Sequence, residues 1–217
     1  KSDVFVVDNG SCDGTREYIK SKYGQFVFIE SKCNLGFGKA NNLGLEYALA
    51  NDYDYVYLLN QDAWVFENTF ENLINIHEAN PVFGIISPVQ CNSDLSLFDD
   101  SFYKCSLDNN IVYKQIFDCS LSEVIETEFV MAAHWLISRE CLSKVGGFSP
   151  SFPHYGEDNN LCNRALYNSF KMLDYLNKQI IITSDRSPDD LKLLEERLRS
   201  RFTWGLSVDI YPPDFGL

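Results

Sequence analysis

The sequence predicts an α/β protein with a mostly parallel central sheet covered by helices on both faces. Short apolar runs without polar alternation recur through the first hundred residues, as in strands buried on both sides. Amphipathic helical patterns separate those runs. Polar residues then follow the strands, where open sheets of this class bind ligands beyond the carboxyl ends.

The elements follow in order. Val4-Phe5-Val6-Val7 reads as the first strand and runs into the polar turn Asp8-Asn9-Gly10-Ser11. A helix starts near Asp13, whose carboxylate suits an N-cap. Phe26 to Ile29 is the second strand, and Gly36 and Gly38 break the chain before a helix with Ala40, Leu43, Tyr47 and Ala50 on one side. Tyr55 to Leu59 is the third strand. Phe70, Leu73, Ile74 and His77 mark a helix that stops before Pro81, and Gly84-Ile85-Ile86 is the fourth strand. Between 88 and 128 the pattern weakens into Ser-, Asp- and Asn-rich sequence with β-like pieces such as Ile111-Val112-Tyr113. Order returns from Glu128 to Ile137, followed by a helix over Ser138 to Lys144 ending at Gly146-Gly147, and another over Asp158 to Ser169. Ser187-Pro188-Asp189-Asp190 reads as the start of a last helix with Leu191, Leu194 and Leu198 as its apolar stripe.

The 217 residues carry 31 acidic and 18 basic side chains, a formal charge of −13. That balance argues against a nucleic-acid partner, since no basic run exists to displace counterions from phosphates. No apolar stretch approaches the roughly eighteen residues of a membrane-spanning helix. The seven cysteines are scattered without a Cys-x-x-Cys pair, which suits reduced thiols better than a zinc site or a disulfide framework. Gly36-x-Gly38-x-x-Asn41 lacks the third glycine of a dinucleotide fingerprint, and Gly38-Lys39-Ala40 lacks the hydroxyl residue of a P-loop. The segment reads either as an anion cradle at a helix start or as a tight strand-to-helix turn.

Four motifs stand in order along the chain: Val6-Val7-Asp8-Asn9-Gly10-Ser11-x-Asp13-Gly14-Thr15, Asn34-Leu35-Gly36-Phe37-Gly38-Lys39-Ala40-Asn41-Asn42-x-Gly44, Leu58-Leu59-Asn60-Gln61-Asp62, and Val145-Gly146-Gly147-Phe148 with Tyr155-Gly156-Glu157-Asp158-x-x-Leu161-Cys162-x-Arg164. Taken together they closely resemble family 2 glycosyltransferases of the GT-A fold, and among them rhamnosyltransferase-type enzymes of bacterial surface polysaccharide synthesis. The resemblance implies residues 1–87 as a nucleotide-sugar-binding half, 88–184 as the acceptor-binding half of the same domain, and 185–217 as a C-terminal helix and tail. It implies an inverting transfer from a UDP- or dTDP-sugar to a saccharide or lipid-linked acceptor, in the cytoplasm or at the inner face of the membrane. A GT-A domain that only binds nucleotide is the alternative, and a sugar-nucleotide pyrophosphorylase is disfavoured because its basic glycine-rich loop is missing.

By the same resemblance, Asp8 accepts hydrogen bonds from the nucleotide base, with Asn9 and Ser11 shaping the turn. Asn34, Gly36, Lys39 and Asn41 belong to the donor site. Asn60-Gln61-Asp62 stands where the family carries its Asp-x-Asp motif, which makes Asp62 the ligand of Mg²⁺ or Mn²⁺ and Asn60 a weaker helper. Asp158 is the general base, with Glu157 as its orienting neighbour and runner-up. His134, Trp135, His154 and Tyr155 fall on the acceptor side, where Trp135 reads equally as a sugar-stacking or a core residue. Asp13 reads better as a helix cap, and His77 as structural. Family members also open with a further strand and helix before the segment matching Val4 to Asp8. The sequence is therefore expected to lack that βα unit, leaving a gap or exposed edge in the sheet and impaired activity.

Overall fold

The computed structural model describes residues 3–91, 102, 124–152 and 155–175. Along the chain run β1 (Phe5–Asp8), α1 (Thr15–Lys22), β2 (Val27–Glu30), α2 (Phe37–Ala50), β3 (Tyr55–Leu59), α3 (Thr69–Ala79) and β4 (Phe83–Pro88). After them come β5 (Val124–Thr127), β6 (His134–Ser138), α4 (Arg139–Val145), α5 (Glu157–Tyr167) and β7 (Lys171–Tyr175). The expected last helix from Ser187 and the piece Ile111 to Tyr113 lie outside the described residues.

Strands β1 and β2 form a parallel pair, and the remaining strands form a five-stranded sheet in the order β3-β6-β4-β7-β5. The α/β class stands, but the main sheet is mixed rather than mostly parallel. β6 runs antiparallel between β3 and β4, β5 runs antiparallel to β7, and only β4 and β7 are parallel. Helix α2 packs on both β1 and β3 and so ties the two-stranded pair to the main sheet.

Alternation along each strand sends side chains to two separate cores. Leu58, Ile85, Trp135, Ile137 and Met172 pack with Leu45 of α2, Leu142 of α4 and Leu161 of α5. On the other face Phe83, Ile86, Leu136 and Leu173 pack against Leu73 of α3. Phe83 and Ile85 would share a face in a regular strand. A register shift between them puts Phe83 and Ile86 into one core and Ile85 into the other.

Helix ends follow local chemistry. The Ser138 hydroxyl caps α4 by accepting from the Cys141 N–H at 3.2 Å. Asp13 does its work one step earlier than expected: α1 is capped by Gly14, while the Asp13 carboxylate takes the Thr15 hydroxyl at 2.6 Å and the Thr15 N–H at 3.2 Å.

Candidate active site

The β1–α1 and β2–α2 loops are stapled together beyond the ends of the parallel pair. Asn9 accepts from the Leu35 N–H at 2.7 Å and donates to the Asn34 side chain at 3.0 Å, and Asn34 in turn accepts from the Gly36 N–H at 2.9 Å. Gly10, at φ 86°, lies so close to the second loop that an added Cβ would sit 2.7 Å from the Cys33 carbonyl carbon.

Asp8 lies beside this staple at 5% exposure. One carboxylate oxygen accepts from the Ser11 N–H at 3.0 Å, and the other is buried without a hydrogen-bond partner. A buried carboxylate oxygen without a partner is costly unless something completes it. Lys39 is exposed on the first turn of α2, while the Asn41 amide is occupied by the Phe37 carbonyl at 3.0 Å.

The second cluster lies at the end of β3. The Asn60 N–H donates to the Ala133 carbonyl at 3.1 Å, and a turn closed by Ala63 N–H on Asn60 C=O presents Gln61 and Asp62 to solvent. His134, the first residue of β6, stands opposite Leu59 and bonds the Tyr57 hydroxyl through Nδ1 at 3.1 Å. Burial pushes the His134 imidazole below its ordinary range, and the nearby Asp62 carboxylate opposes that shift. Among the described residues no group of three or more His, Cys, Asp or Glu side chains is placed to hold a metal. One exposed carboxylate with an amide oxygen nearby still fits a hard divalent cation that takes most of its shell from phosphate oxygens and water.

The third cluster opens α5. Glu157 is 8% exposed, with one oxygen lacking a hydrogen-bond partner, and it packs against the start of α2, where an added Gly38 Cβ would lie 3.8 Å from the Glu157 Cβ. Asp158 is half-buried and accepts from the Asn159 N–H at 2.8 Å. Burial, with the Glu157 carboxylate adding to it, holds Asp158 above the ordinary aspartate range. Tyr155 is 80% exposed in the left-handed region at φ 62°.

Trp135 does not offer a stacking face to a sugar. It is fully buried, stacked on Phe148 with ring centroids 5.7 Å apart, because strand alternation turns it away from His134 and into the core. His77 is structural as expected, its Nδ1 bonded to the Tyr55 hydroxyl at 2.9 Å. His154 lies outside the described residues.

An α/β sheet with carboxylates beyond two strand ends and at a facing helix start has the layout of GT-A glycosyltransferases, and solved structures bear out that fold. A mannosyltransferase from Pyrobaculum calidifontis, in complex with GDP-Man and Mn²⁺, superposes over 81% of this chain and 46% of its own, with TM-score 0.54 and 21% identity. GalNAc-T7 with UDP, GalNAc and Mn²⁺ superposes over 80% of this chain and 36% of its own, with TM-score 0.58 and 13% identity. The family model Glycosyl transferase family 2 matches residues 1–146, and the chain belongs to that family.

A second model, Bacterial DnaA ATPAse domain, matches residues 154–209. The chromosomal replication initiator protein DnaA of Streptococcus mutans is 61% identical over 49 residues, 23% of this chain and 11% of that protein. DnaA of Streptococcus thermophilus is 59% identical over 49 residues. The chain thus spans about a tenth of the length of these curated relatives. The region that the DnaA model matches takes in α5, which packs on the transferase sheet, and β7, which is hydrogen-bonded within it. Sequence reasoning finds no motif after Ser169 and misses this likeness. The available signal is Ile180-Ile181-Ile182-Thr183-Ser184-Asp185, an apolar run ending in polar residues like the first and third strands. Among the described residues no helix is long and apolar enough to cross a membrane.

Proposed function

We propose that this family 2 glycosyltransferase moves a sugar from a nucleotide-diphosphate donor to an acceptor hydroxyl with inversion at the anomeric carbon. The observation that carries the reading is Asp158: a half-buried carboxylate at a helix start, made more basic by burial and by Glu157. A base poised above its ordinary range takes a hydroxyl proton more readily. In the reaction, the acceptor O–H gives its proton to Asp158 as its oxygen bonds the anomeric carbon. The bond from that carbon to the donor phosphate breaks, and the nucleoside diphosphate leaves. Attack on the face opposite the leaving group by a single base-activated hydroxyl inverts the configuration.

The chain's own residues supply the rest. The open oxygen of Asp8 takes an N–H of the nucleotide base in a charge-assisted bond. Asn9, Ser11, Asn34 and Gly36 fix the loops around it, and Lys39 faces the phosphates. Asp62, helped by Asn60, would hold a divalent cation, which when bound supplies neutralising charge to the diphosphate. Mn²⁺ in both neighbouring structures supports this assignment, as do their GDP-Man and UDP ligands for the donor class. His134 and Tyr155 line the acceptor side. A rhamnosyl-type donor and a role in surface polysaccharide synthesis rest on the motif resemblance alone. Of the DnaA-like stretch, residues 176–209 are assigned no part in this chemistry.

Turnover of a panel of UDP-, GDP- and dTDP-sugars with and without Mn²⁺ tests the reading. Asp158→Asn should abolish transfer and leave nucleotide binding intact, and full activity of that variant would remove Asp158 as base. Asp62→Ala should uncouple nucleoside-diphosphate affinity from Mn²⁺ in calorimetry. Unchanged metal linkage would move the cation site elsewhere.

A further inference from the structure

We propose that Asn42 is a positioning residue that holds Asp158 against the donor half of the molecule, acting through the Gly146-Gly147-Phe148 turn. This inference rests on the reading of Asp158 as base. Asn42, on α2, grips both main-chain groups of Phe148: its Nδ2 donates to the Phe148 carbonyl at 2.8 Å, and its Oδ1 accepts from the Phe148 N–H at 2.7 Å. The grip needs a bare backbone beside it, since a Cβ on Gly147 would lie 2.3 Å from Asn42 Oδ1. From the opposite side Arg164, on α5, donates to the carbonyls of Val145 and Gly147 and is itself steadied by Asn160.

One turn is therefore clamped by the helix that carries the donor loop and by the helix that carries the acidic pair. Phe148 fills the space between them, edge-on to Phe37 at 5.5 Å and 3.0 Å from where a Gly38 Cβ would stand. The start of α5 then meets the start of α2 directly at Glu157 and Gly38. An amide that accepts from one main-chain group and donates to the next fixes both the distance and the rotation of the turn. The carboxylate at the start of α5 inherits that placement. Glu157 is the titratable neighbour that adds to the raising of Asp158, and Asp158 in turn helps to raise Cys162.

The test compares the wild-type chain with Asn42→Asp and Arg164→Lys. Asn42→Asp keeps the acceptor for the Phe148 N–H but sets a carboxylate oxygen against its carbonyl. Arg164→Lys keeps the charge but loses the fork that spans two carbonyls. Both variants should lower kcat for transfer on the order of 10- to 100-fold, as a displaced catalytic group does. Their affinity for UDP with Mn²⁺ should stay within about twofold, the pattern of lost transition-state placement. The Asp158 carboxyl, followed by NMR titration, should move back toward the ordinary aspartate range as its packing loosens. Folded variants with unchanged kcat and unchanged Asp158 titration would overturn the proposal. So would a loss of UDP affinity in step with kcat, or failure of both variants to fold, either of which marks a purely structural staple. Full turnover of Asp158→Asn would instead remove the base reading while the titration still reports on the clamp.

Discussion

Asp8 and Asp158 are both carboxylates of the candidate site, and their surroundings suit them to the different tasks proposed for them. Asp8 is buried with one oxygen idle, an arrangement that costs folding energy in the free protein and, on the proposed reading, is offset when nucleotide binds. Asp8→Asn keeps an oxygen for the Ser11 N–H and removes the buried charge. It should raise the melting temperature of the free protein and weaken nucleotide binding by about 1.5–3 kcal/mol, the worth of a hydrogen bond to a charged group. Thermal unfolding and calorimetry check the two effects, and their opposite signs separate recognition from simple damage. Asp158 is raised from 3.8 by burial first. As the proposed base it must be ionised to act, so the acid limb of kcat should fall above the ordinary aspartate value. Stability runs the other way. The folded state holds the proton more tightly than the unfolded chain, so stability falls as pH rises from 3.8 through the raised value and stays lower above it. Asp158→Asn should accordingly be more stable than wild type at neutral pH, with the difference vanishing in acid, as urea unfolding at the two pH values would show.

At the scale of elements, close packing decides which substitutions are tolerated. Gly84 of β4 faces α4 so closely that an added Cβ would lie 2.6 Å from the Cys141 sulfur and 2.9 Å from the Phe170 ring. Gly84→Ala should cost about 1–3 kcal/mol by forcing strand and helix apart, read as a lower urea midpoint. Trp135→Ala should cost about 3–5 kcal/mol as a core truncation, and Trp135→Phe should leave the acceptor KM unchanged. The strands with unbroken apolar runs were legible: Tyr55 to Leu59 is β3 residue for residue, because local sequence alone marks a buried strand. Pairing was not. β6 enters between β3 and β4 from more than forty residues away in the chain, and no local pattern encodes an antiparallel insertion. Strand β7 was missed because Lys171 and Asp174 make it look polar, although Asp174 is 2% exposed within the sheet. Of the site, the motif positions could be read along the chain. The burial of Trp135, the orphan oxygens of Asp8 and Glu157 and the Asn42 clamp could not, since each depends on residues distant in sequence.

The whole molecule joins two likenesses on one chain, and the sheet shows which of them organises the described residues. Strand β7 pairs with β4 on one side and β5 on the other, so the chain as far as Tyr175 is committed to the transferase fold even where the DnaA model also matches. All three carboxylate clusters lie ahead of that point. A chain ending at Tyr175 should therefore bind UDP with Mn²⁺ within about twofold of the full chain, because every proposed donor contact is retained. The full chain should in turn gain no affinity for duplex DNA over that shorter one at moderate salt, given a formal charge of −13 and the repulsion it sets against phosphates. Calorimetry and fluorescence anisotropy read the two outcomes. Loss of nucleotide binding in a folded shorter chain would give residues 176–217 a part in the donor site. DNA binding by the full chain alone would give the DnaA-like stretch a function of its own.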